Sequence, residues 1–351
     1  MSSDSATIPS PAHDSAAAAS AAAGKRGIAG LWARYKRWVV PAFGLLVLAM
    51  LLSHAHKIDW AGAWHALKQY KLSLLAGVLG LALASHALYG CFDLIGRHHT
   101  RHKLGLLRTW GIALASYAFN LNLGSLVGGV ALRARLYAKA GLDEATVAQV
   151  VGVSLATNWL GYGLLAGTLF ASGLIAPPEQ AHMTATTFRA IGVGMVLLAA
   201  AYVAWCFASK GRTWQFRGRK VRLPSGPLAL VQLVMSACNW ALMGGAMYLL
   251  LGDQVSYGMT LGVLMAAAVV GVVTPIPAGL GVLEAVYLAL LSGTVPQGKL
   301  MGAVLAYRAL YYLLPLASGI VIYVLLERYA SQHPAQEQAQ EPAQEPAPAS
   351  A

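Results

Sequence analysis

The run Tyr257–Val273, YGMTLGVLMAAAVVGVV, continues without a charged residue into the stretch Thr274–Glu284, TPIPAGLGVLE. The first run is mostly apolar and predicts a helix that lies in lipid or in a protein core. Four helix-breaking residues follow in the second stretch: Pro275, Pro277, Gly279 and Gly281. They predict that the helix stops and that a new one begins near Gly281, with Glu284 close behind. Such a break favours a functional site, because unwound backbone at membrane depth needs cover by protein or water.

A second interruption lies earlier in the chain, in the stretch Asn120–Tyr137, NLNLGSLVGGVALRARLY. It also follows an apolar helix, breaks at glycine and carries charge, at Arg133 and Arg135, inside the new helix. The two breaks divide the chain into similar halves whose preceding helices are predicted to point in opposite directions. We therefore predict inverted repeats, about 72–173 and 227–326, whose broken helices meet near the bilayer midplane. A proline kink with glycine packing is the simpler alternative.

The whole composition is typical of a membrane protein. Of 351 residues, 57% are hydrophobic and 11% are charged, whereas soluble domains carry charge on roughly a quarter of their residues. The apolar runs approach the ~20 residues that cross hydrocarbon, and they do not alternate, which favours helices over a barrel. The expected fold class is an all-α polytopic membrane protein with about eight full transmembrane helices and two broken or re-entrant segments.

These elements are predicted along most of the chain. The full helices are expected at 38–54, 72–96, 105–122, 145–173, 189–208, 227–252, 257–273 and 300–326, and the broken segments at 123–142 and 274–292. Together they form one membrane domain, 25–330. The flanking segments, 1–24 and 331–351, are low in complexity and polar or rich in Ala, Ser and Pro, so we expect disordered tails and no signal peptide.

Basic segments predict the orientation, because Lys and Arg in short loops stay on the cytoplasmic side. The strongest are the N-terminal segment from Lys25, the loop 97–108 and the segment 210–222. The loop 174–188 lacks Lys and Arg and should face outward. An even number of crossings must then separate the two basic loops, so 105–122 and 123–142 either both cross or form a re-entrant hairpin. We therefore predict that the chain lies in a bacterial inner membrane, with both termini on the cytoplasmic side.

Several functional classes are not expected. The net charge of +12 comes from clusters beside apolar runs, a pattern of topology and anionic headgroups rather than of nucleic-acid binding. The stretch Arg97–Lys103, RHHTRHK, predicts a basic loop rather than a metal site, because cations oppose metal binding there. The three cysteines lie far apart and predict packing without a disulfide framework. We expect no metal, no cofactor and no enzymatic activity, since no hydrolase or nucleotide-binding motif occurs.

Charged residues inside apolar helices cost at least ~2.5 kcal/mol on insertion scales, so each needs a role. Arg308 is expected to pair with Glu284, and a structural ion pair explains the two about as well as a lipid site. Arg133 and Arg135 should point to different helix faces, so that one binds a phosphate while the other reaches the interface. A further acid, Asp93, stands near a helix end with Arg97 four residues on, which predicts a surface pair.

Two groups of residues resemble a known family. Thr274–Ala285, followed by Tyr307 and Arg308, is similar to the Pro-Gly-Gly-x-Gly-x-x-Glu and later Tyr-Arg pattern of the lysylphosphatidylglycerol synthase transmembrane-region family. The stretches Asn120–Tyr137 and Ala156–Tyr162, ATNWLGY, look closer to its stand-alone inner-membrane branch. The resemblance covers about 38–326 and departs from the pattern at one position in the first motif, where alanine follows Pro277.

The resemblance implies a flippase-like membrane module, with Glu284 and Arg308 at the charged motif positions and Arg133 and Arg135 as their first-half counterparts. Enzymes of the wider family carry a soluble aminoacyl-transfer domain, whereas a short polar tail follows the last predicted helix here, so lysine transfer is not expected. The candidate lipid-binding residues are Asn120, Gly128, Gly129, Arg133, Arg135, Asn158, Pro275, Pro277, Gly279, Gly281, Glu284, Tyr307 and Arg308.

Two functional hypotheses follow. In the first, the chain translocates an anionic phospholipid whose headgroup enters between the broken helices while its acyl tails stay in lipid. In the second, the chain is a membrane scaffold or partner subunit of a separate phospholipid-synthesising enzyme. Membrane phospholipids are the expected partners in both, and loss of lipid movement on substitution of Arg308 or Glu284 would separate them.

Overall fold

The computed structural model describes residues 64–65, 67–175, 184–209, 213–216, 219–273 and 281–332. The predicted helix at 38–54, the N-terminal tail, the C-terminal residues from 333 and three of the candidate residues, Pro275, Pro277 and Gly279, lie outside the described residues.

The first half of the described chain is helical. Its elements are α1 (Leu72–Thr100), α2 (Leu106–Leu123), a π-helical segment (Ser125–Leu132), α3 (Arg133–Lys139), α4 (Glu144–Ser172) and α5 (Ala185–Ser209). A short hairpin of two antiparallel strands, β1 (Thr213–Phe216) and β2 (Arg219–Arg222), follows α5. The sequence predicts only a basic loop there, so this small hairpin is an addition to an otherwise helical fold.

The second half is helical throughout its described part after the hairpin. Its elements are α6 (Gly226–Leu251), a 3₁₀ turn (Gly252–Gln254), α7 (Tyr257–Val273), α8 (Val282–Leu291), α9 (Gln297–Tyr307), a π-helical segment (Arg308–Leu313) and α10 (Leu314–Gln332). The last three run on as one helix, Gln297–Gln332.

Five of the described helices are long and apolar enough to cross a membrane, namely α1, α4, α5, α6 and the continuous helix from α9 to α10. Two shorter apolar helices, α7 and α8, accompany them. The helices α2 and α7 end at Leu123 and Val273, directly before the two stretches in which the sequence predicts a break.

The two ends of the bundle are defined by cross-helix contacts. At one end, called the basic end, lies the stretch from Arg97 to Arg108, which comprises the last turn of α1, the loop that joins α1 to α2 and the first turn of α2. At the other end, called the opposite end, α6 turns into α7 near Gly252. The hydroxyl of Tyr70, just before α1, donates to the carbonyl of Leu250 near the end of α6 at 3.2 Å. The helix α1 therefore begins at the opposite end and finishes at the basic end.

The first interrupted segment forms a hairpin that starts and finishes at the basic end. Gly124 stops α2 with φ of 88°, a conformation that a β-carbon disfavours. The π-helical segment and α3 then run back along α2, so that the hydroxyl of Tyr137 lies 3.5 Å from the carbonyl of Thr109 in the first turn of α2. Residues near the start of α2 and the end of α3 are thus neighbours.

The second interrupted segment forms a hairpin that starts and finishes at the opposite end. The helix α8 runs back along α7, and the hydroxyl of Tyr287 donates to the carbonyl of Thr260 in the first turn of α7 at 3.3 Å. The two hairpins, α2 with α3 and α7 with α8, therefore open toward different ends of the bundle.

Small residues allow the long helices to approach closely. A β-carbon at Gly161 in α4 would overlap Ser236 in α6, and one at Gly167 would lie 2.8 Å from the carbonyl oxygen of Gly192 in α5. In lipid, where burial gives little drive between helices, such close backbone packing is a main source of association.

Candidate functional site

The ion pair between Glu284 and Arg308 stands at the second interruption. The helix α8 begins at Val282, with Gly281 before it at φ of 80°. This start places Glu284 in the first turn, where a carboxylate is stabilised by the helix dipole. Arg308 Nε donates to Glu284 Oε1 at 2.5 Å and Nη2 donates to Oε2 at 2.8 Å. The pairing expected from the sequence is present, with two-pronged geometry that fixes both side chains.

Arg308 opens a π-helical turn that is rich in tyrosine. Its guanidinium carbon lies 5.7 Å from the ring centroid of Tyr312. The rings of Tyr307 and Tyr311 stack at 5.0 Å, and the buried hydroxyl of Tyr307 has no hydrogen-bond partner among the described residues. π-Helical turns of this kind recur at functional sites in other proteins.

A short chain of contacts links the two interruptions. Asn122, at the tip of the first hairpin, donates through Nδ2 to the carbonyl of Tyr312 at 3.1 Å. The ring of Tyr312 lies against Arg308, and Arg308 holds Glu284 at the start of α8. The two breaks that the sequence singles out are therefore joined through one turn of the last helix.

A second ion pair, between Asp93 and Arg133, is almost completely buried. Asp93 is 0% exposed and Arg133 is 1% exposed. Arg133 Nε donates to Asp93 Oδ2 at 2.8 Å, and its Nη2 contacts both Asp93 Oδ1 and, at 2.8 Å, the hydroxyl of Ser154. The prediction of a surface pair between Asp93 and Arg97 is wrong, because α3 of the first hairpin brings Arg133 over this face of α1.

Tyr137 completes this cluster, since its hydroxyl donates to Asp93 Oδ2 at 2.6 Å. Asp93 thus accepts from two side chains of α3 and ties that short helix to α1, while Ser154 adds α4. The burial means that Arg133 reaches a phosphate only if it gives up Asp93. A buried pair with all its partners in place is tolerated, but removal of one partner leaves a costly bare charge.

Arg135 points away from Arg133, as the sequence predicts. Its Nη2 lies 3.2 Å from Glu327 Oε1 in α10, and Lys139 in the same helix α3 also pairs with Glu327. Both pairs are partly exposed at the basic end. Sequence reasoning missed Glu327 because it stands near the end of the last helix, where an acid signals nothing unusual.

The other candidate residues of the first half have packing contacts. Gly128 and Gly129 pack against Phe119 and Asn120, and a β-carbon at Gly129 would lie 2.9 Å from Asn120 Oδ1. Asn158 lies in α4, where its carbonyl accepts from Ser236 and Trp240 of α6 at 2.9 and 3.3 Å. No contact in the described part of the chain joins Asn158 to either ion pair.

Sequence reasoning also missed a polar cluster in the middle of α1. Ser85 Oγ donates to Asn239 Oδ1 at 2.7 Å and shares a hydrogen bond of 2.5 Å with the hydroxyl of Tyr311. His86 lies between the rings of Tyr117 and Tyr311, each 4.9 Å away. The signal is present in the spacing, since Ser85, Tyr89 and Asp93 recur at four-residue intervals and so share one face of α1.

Metal chemistry finds no support in the described residues. They contain no group of three or more His, Cys, Asp or Glu side chains that lie together in a way that suits a metal ion. The three cysteines, in the described helices α1, α5 and α6, are unpaired thiols.

These features define a class of protein: a polytopic helical membrane protein in which buried ion pairs and tyrosines hold two interrupted helices against long crossing helices. Comparison with known proteins gives the family. The sequence profile described as the lysylphosphatidylglycerol synthase TM region matches residues 38–319, and the chain belongs to this family.

Two curated relatives extend over most of the chain. The inner membrane protein YbhN of Escherichia coli is 39% identical over 302 residues, which cover 86% of this chain and 95% of YbhN. The uncharacterized protein slr0712 of a Synechocystis species is 26% identical over 296 residues, which cover 82% of this chain and 91% of that protein. The family resemblance predicted from the two motifs is confirmed.

Proposed function

We propose that the chain translocates anionic phospholipid across a bacterial inner membrane, with the headgroup passing the Glu284–Arg308 pair. The observation that carries the proposal is the position of this pair. It lies at the start of a helix that follows an interruption, beside a π-helical turn, and in contact with the tip of the other hairpin through Tyr312. Arg308 is 9% exposed and Glu284 is half-buried, which leaves this pair more accessible than Asp93 and Arg133.

The two hairpins support an inverted-repeat arrangement for transport. One opens toward the basic end and the other toward the opposite end, and each contains a helix break with a charged side chain behind it. In this arrangement α2 with α3 and α7 with α8 are re-entrant, and rocking of one half against the other exposes the midplane site to each side in turn.

Orientation is part of the proposal. We infer that the basic end faces the cytoplasm and that both termini lie on that side, because this end carries the Lys- and Arg-rich stretch 97–108 and because the sequence of 210–222 is also basic. The name of the relative YbhN, an inner membrane protein, supports the choice of membrane.

In the proposed step, the phosphate of a phospholipid headgroup competes with Glu284 for the guanidinium of Arg308. The carboxylate that is released remains next to the α8 N-terminus, whose dipole stabilises it. An anionic ligand can therefore displace Glu284 without leaving it uncompensated. The polar hydroxyl of Tyr307 offers a further hydrogen bond to the headgroup, while the acyl chains stay in the surrounding lipid.

The test uses the full chain reconstituted in vesicles with fluorescent phosphatidylglycerol or fluorescent phosphatidylcholine, and dithionite to quench the outer leaflet. The proposal expects faster exchange of phosphatidylglycerol than in empty vesicles, with a smaller effect on phosphatidylcholine. An exchange rate equal to that of empty vesicles would contradict translocation. If the exchange rate equals that of empty vesicles and an enzyme of lipid synthesis co-purifies with the chain, the scaffold hypothesis is favoured.

A further inference from the structure

A cavity of about 560 Å³ lies at the basic end of the bundle, and no residue of the Asp93–Arg133 or Glu284–Arg308 pair lines it. It is formed by the loop that joins α1 to α2 on one side and by the first turn of α6 on the other. Its lining residues are Arg97, His98, His99, Arg101, His102, Lys103, Leu223, Ser225 and Leu228. Its volume falls in the range of roughly 300–1,000 Å³ that small-molecule sites occupy.

The lining of the cavity is positive. Arg97, Arg101 and Lys103 carry fixed charges, three histidines stand between them, and no acid lines the cavity among the described residues. Retention of a loop on one side of the membrane requires only that the charges be present. Their convergence on a concave surface is a separate property, and it raises the local concentration of anions.

The loop is held in shape by its own hydrogen bonds. Arg97 Nε donates to the carbonyl of Leu104 at 2.6 Å, which closes the loop around the cavity. Arg101 lies in the left-handed region with φ of 58°, where it ends α1 and turns the chain. These contacts hold the backbone of the loop in one shape, so the cavity is part of the fold.

His102 presents a hydrogen-bond donor without a partner. Its Nδ1 accepts from the backbone N–H of Leu104 at 3.3 Å, so the proton of the neutral ring lies on Nε2. That nitrogen is buried and has no hydrogen-bond partner among the described residues. A buried donor left unpaired costs free energy, so an anion that drew the His102 ring toward the cavity would be favoured. Burial, and then the charge of Arg97, lower the pKa of His102.

The first turn of α6 supplies the other wall. Ser225 precedes this 26-residue helix and makes no side-chain capping hydrogen bond. Helix N-termini favour anions because of their free N–H groups and the helix dipole. The helix start and the cations thus converge on the same cavity, and His102 is part of its lining.

We propose that this cavity binds a phosphate group, carried either by an anionic phospholipid headgroup at the membrane surface or by a free inorganic anion such as pyrophosphate. The site is distinct from the Glu284–Arg308 pair and does not depend on the proposed translocation. Its occupant is recognised by Arg101 and Lys103, the two exposed cations of the lining.

The test measures binding to the purified full chain in neutral detergent by isothermal titration calorimetry. The probes are pyrophosphate, dihexanoyl phosphatidylglycerol below its micelle concentration and dihexanoyl phosphatidylcholine. The double variant Arg101→Asn, Lys103→Gln removes two charges, and asparagine is suited to the left-handed conformation at position 101. The matched control, Lys71→Gln, Lys299→Gln, removes two exposed lysines elsewhere.

The proposal expects one of the two anionic probes to bind at least tenfold more weakly to the cavity variant, with an unchanged Kd for the control variant. Binding of phosphatidylglycerol alone identifies a lipid headgroup site, and binding of pyrophosphate identifies a site for free phosphate. Absence of binding by both anionic probes overturns the proposal. An equal loss of affinity in the cavity variant and the control variant also overturns the proposal. Binding of phosphatidylcholine with the same affinity as the anionic probes overturns it too. Neither result bears on vesicle transport, so the two proposals fail independently.

Discussion

At the scale of single residues, Asp93 ties the short helix α3 to α1, because it accepts hydrogen bonds from Arg133 and Tyr137. Its neighbour Arg97 stands four positions on, which is the usual spacing of a surface ion pair, yet the partner is Arg133 from another helix. Arg97 instead supports its own loop through the carbonyl of Leu104. A pairing between distant helices is decided by tertiary packing, whereas Glu284 and Arg308 are found because a family motif marks both.

The substitution Asp93→Asn tests the buried cluster. It leaves the guanidinium of Arg133 without its counter-ion in a water-free environment, so we expect a loss of stability of about 3–5 kcal/mol. Thermal unfolding in detergent measures this as a fall in Tm. As a control, Glu327→Gln breaks partly exposed pairs with Arg135 and Lys139 and should cost clearly less. Equal Tm values for Asp93→Asn and the unmodified chain would show that the pair is not stabilising.

Two glycines with a left-handed backbone stand at the interruptions, Gly124 after α2 and Gly281 before α8. Gly124 and Gly281 have φ of 88° and 80°, and no neighbouring atom of the described residues lies within 4 Å of the place that a β-carbon would take. Substitution by alanine should therefore cost roughly 1–2 kcal/mol through backbone strain alone. Gly80 and Gly152, which are helical and equally uncrowded, are the matched controls. Thermal unfolding of the four alanine variants should separate the two pairs, and a common result would contradict the strain argument.

At the scale of helices, the sequence predicts that a helix is present and where it lies better than it predicts whether the helix crosses the membrane or belongs to a hairpin. The apolar runs place α1, α4, α5 and α6 to within a few residues. The same runs predict α7 as a full crossing and leave α2 either crossing or re-entrant, because an apolar run of 17 or 18 residues does not disclose whether the chain behind it turns back. Contacts such as the one between the Tyr137 hydroxyl and the Thr109 carbonyl carry that information. For the first half, the parity of crossings predicted from the basic loops also allows a re-entrant hairpin.

Cysteine labelling tests the two hairpins. In a chain with its three native cysteines replaced by alanine, Gly105→Cys and Glu144→Cys flank the first hairpin, and Asp253→Cys and Gly298→Cys flank the second. All four positions are at helix ends. We expect a membrane-impermeant maleimide to label the first two from the cytoplasmic side and the last two from the periplasmic side. Labelling of the two sites of one hairpin from different sides would show that its helices cross separately.

At the scale of the whole molecule, the fold joins two charged breaks through the last helix. The long apolar helices make close glycine contacts, and the two hairpins open toward different ends of the bundle. The sequence discloses the breaks, the charges and the family, because these are local. It does not disclose the contact of Asn122 with Tyr312, the polar cluster around Ser85 or the cavity at the basic end, since each combines residues from distant helices.

The central claim is that Arg308 contacts the headgroup of a translocated lipid rather than only pairing with Glu284. The double variant Glu284→Gln, Arg308→Gln decides between these roles, because it removes both charges and leaves no uncompensated charge behind. A partly exposed pair at the basic end provides the matched control, Lys139→Gln, Glu327→Gln.

The deciding measurement is the rate of phosphatidylglycerol exchange in vesicles that contain equal amounts of folded protein. The account predicts that the Glu284→Gln, Arg308→Gln variant falls to the rate of empty vesicles, while the control variant keeps most of the unmodified rate. An undiminished rate in the Glu284→Gln, Arg308→Gln variant would contradict the account and reduce the ion pair to a structural contact.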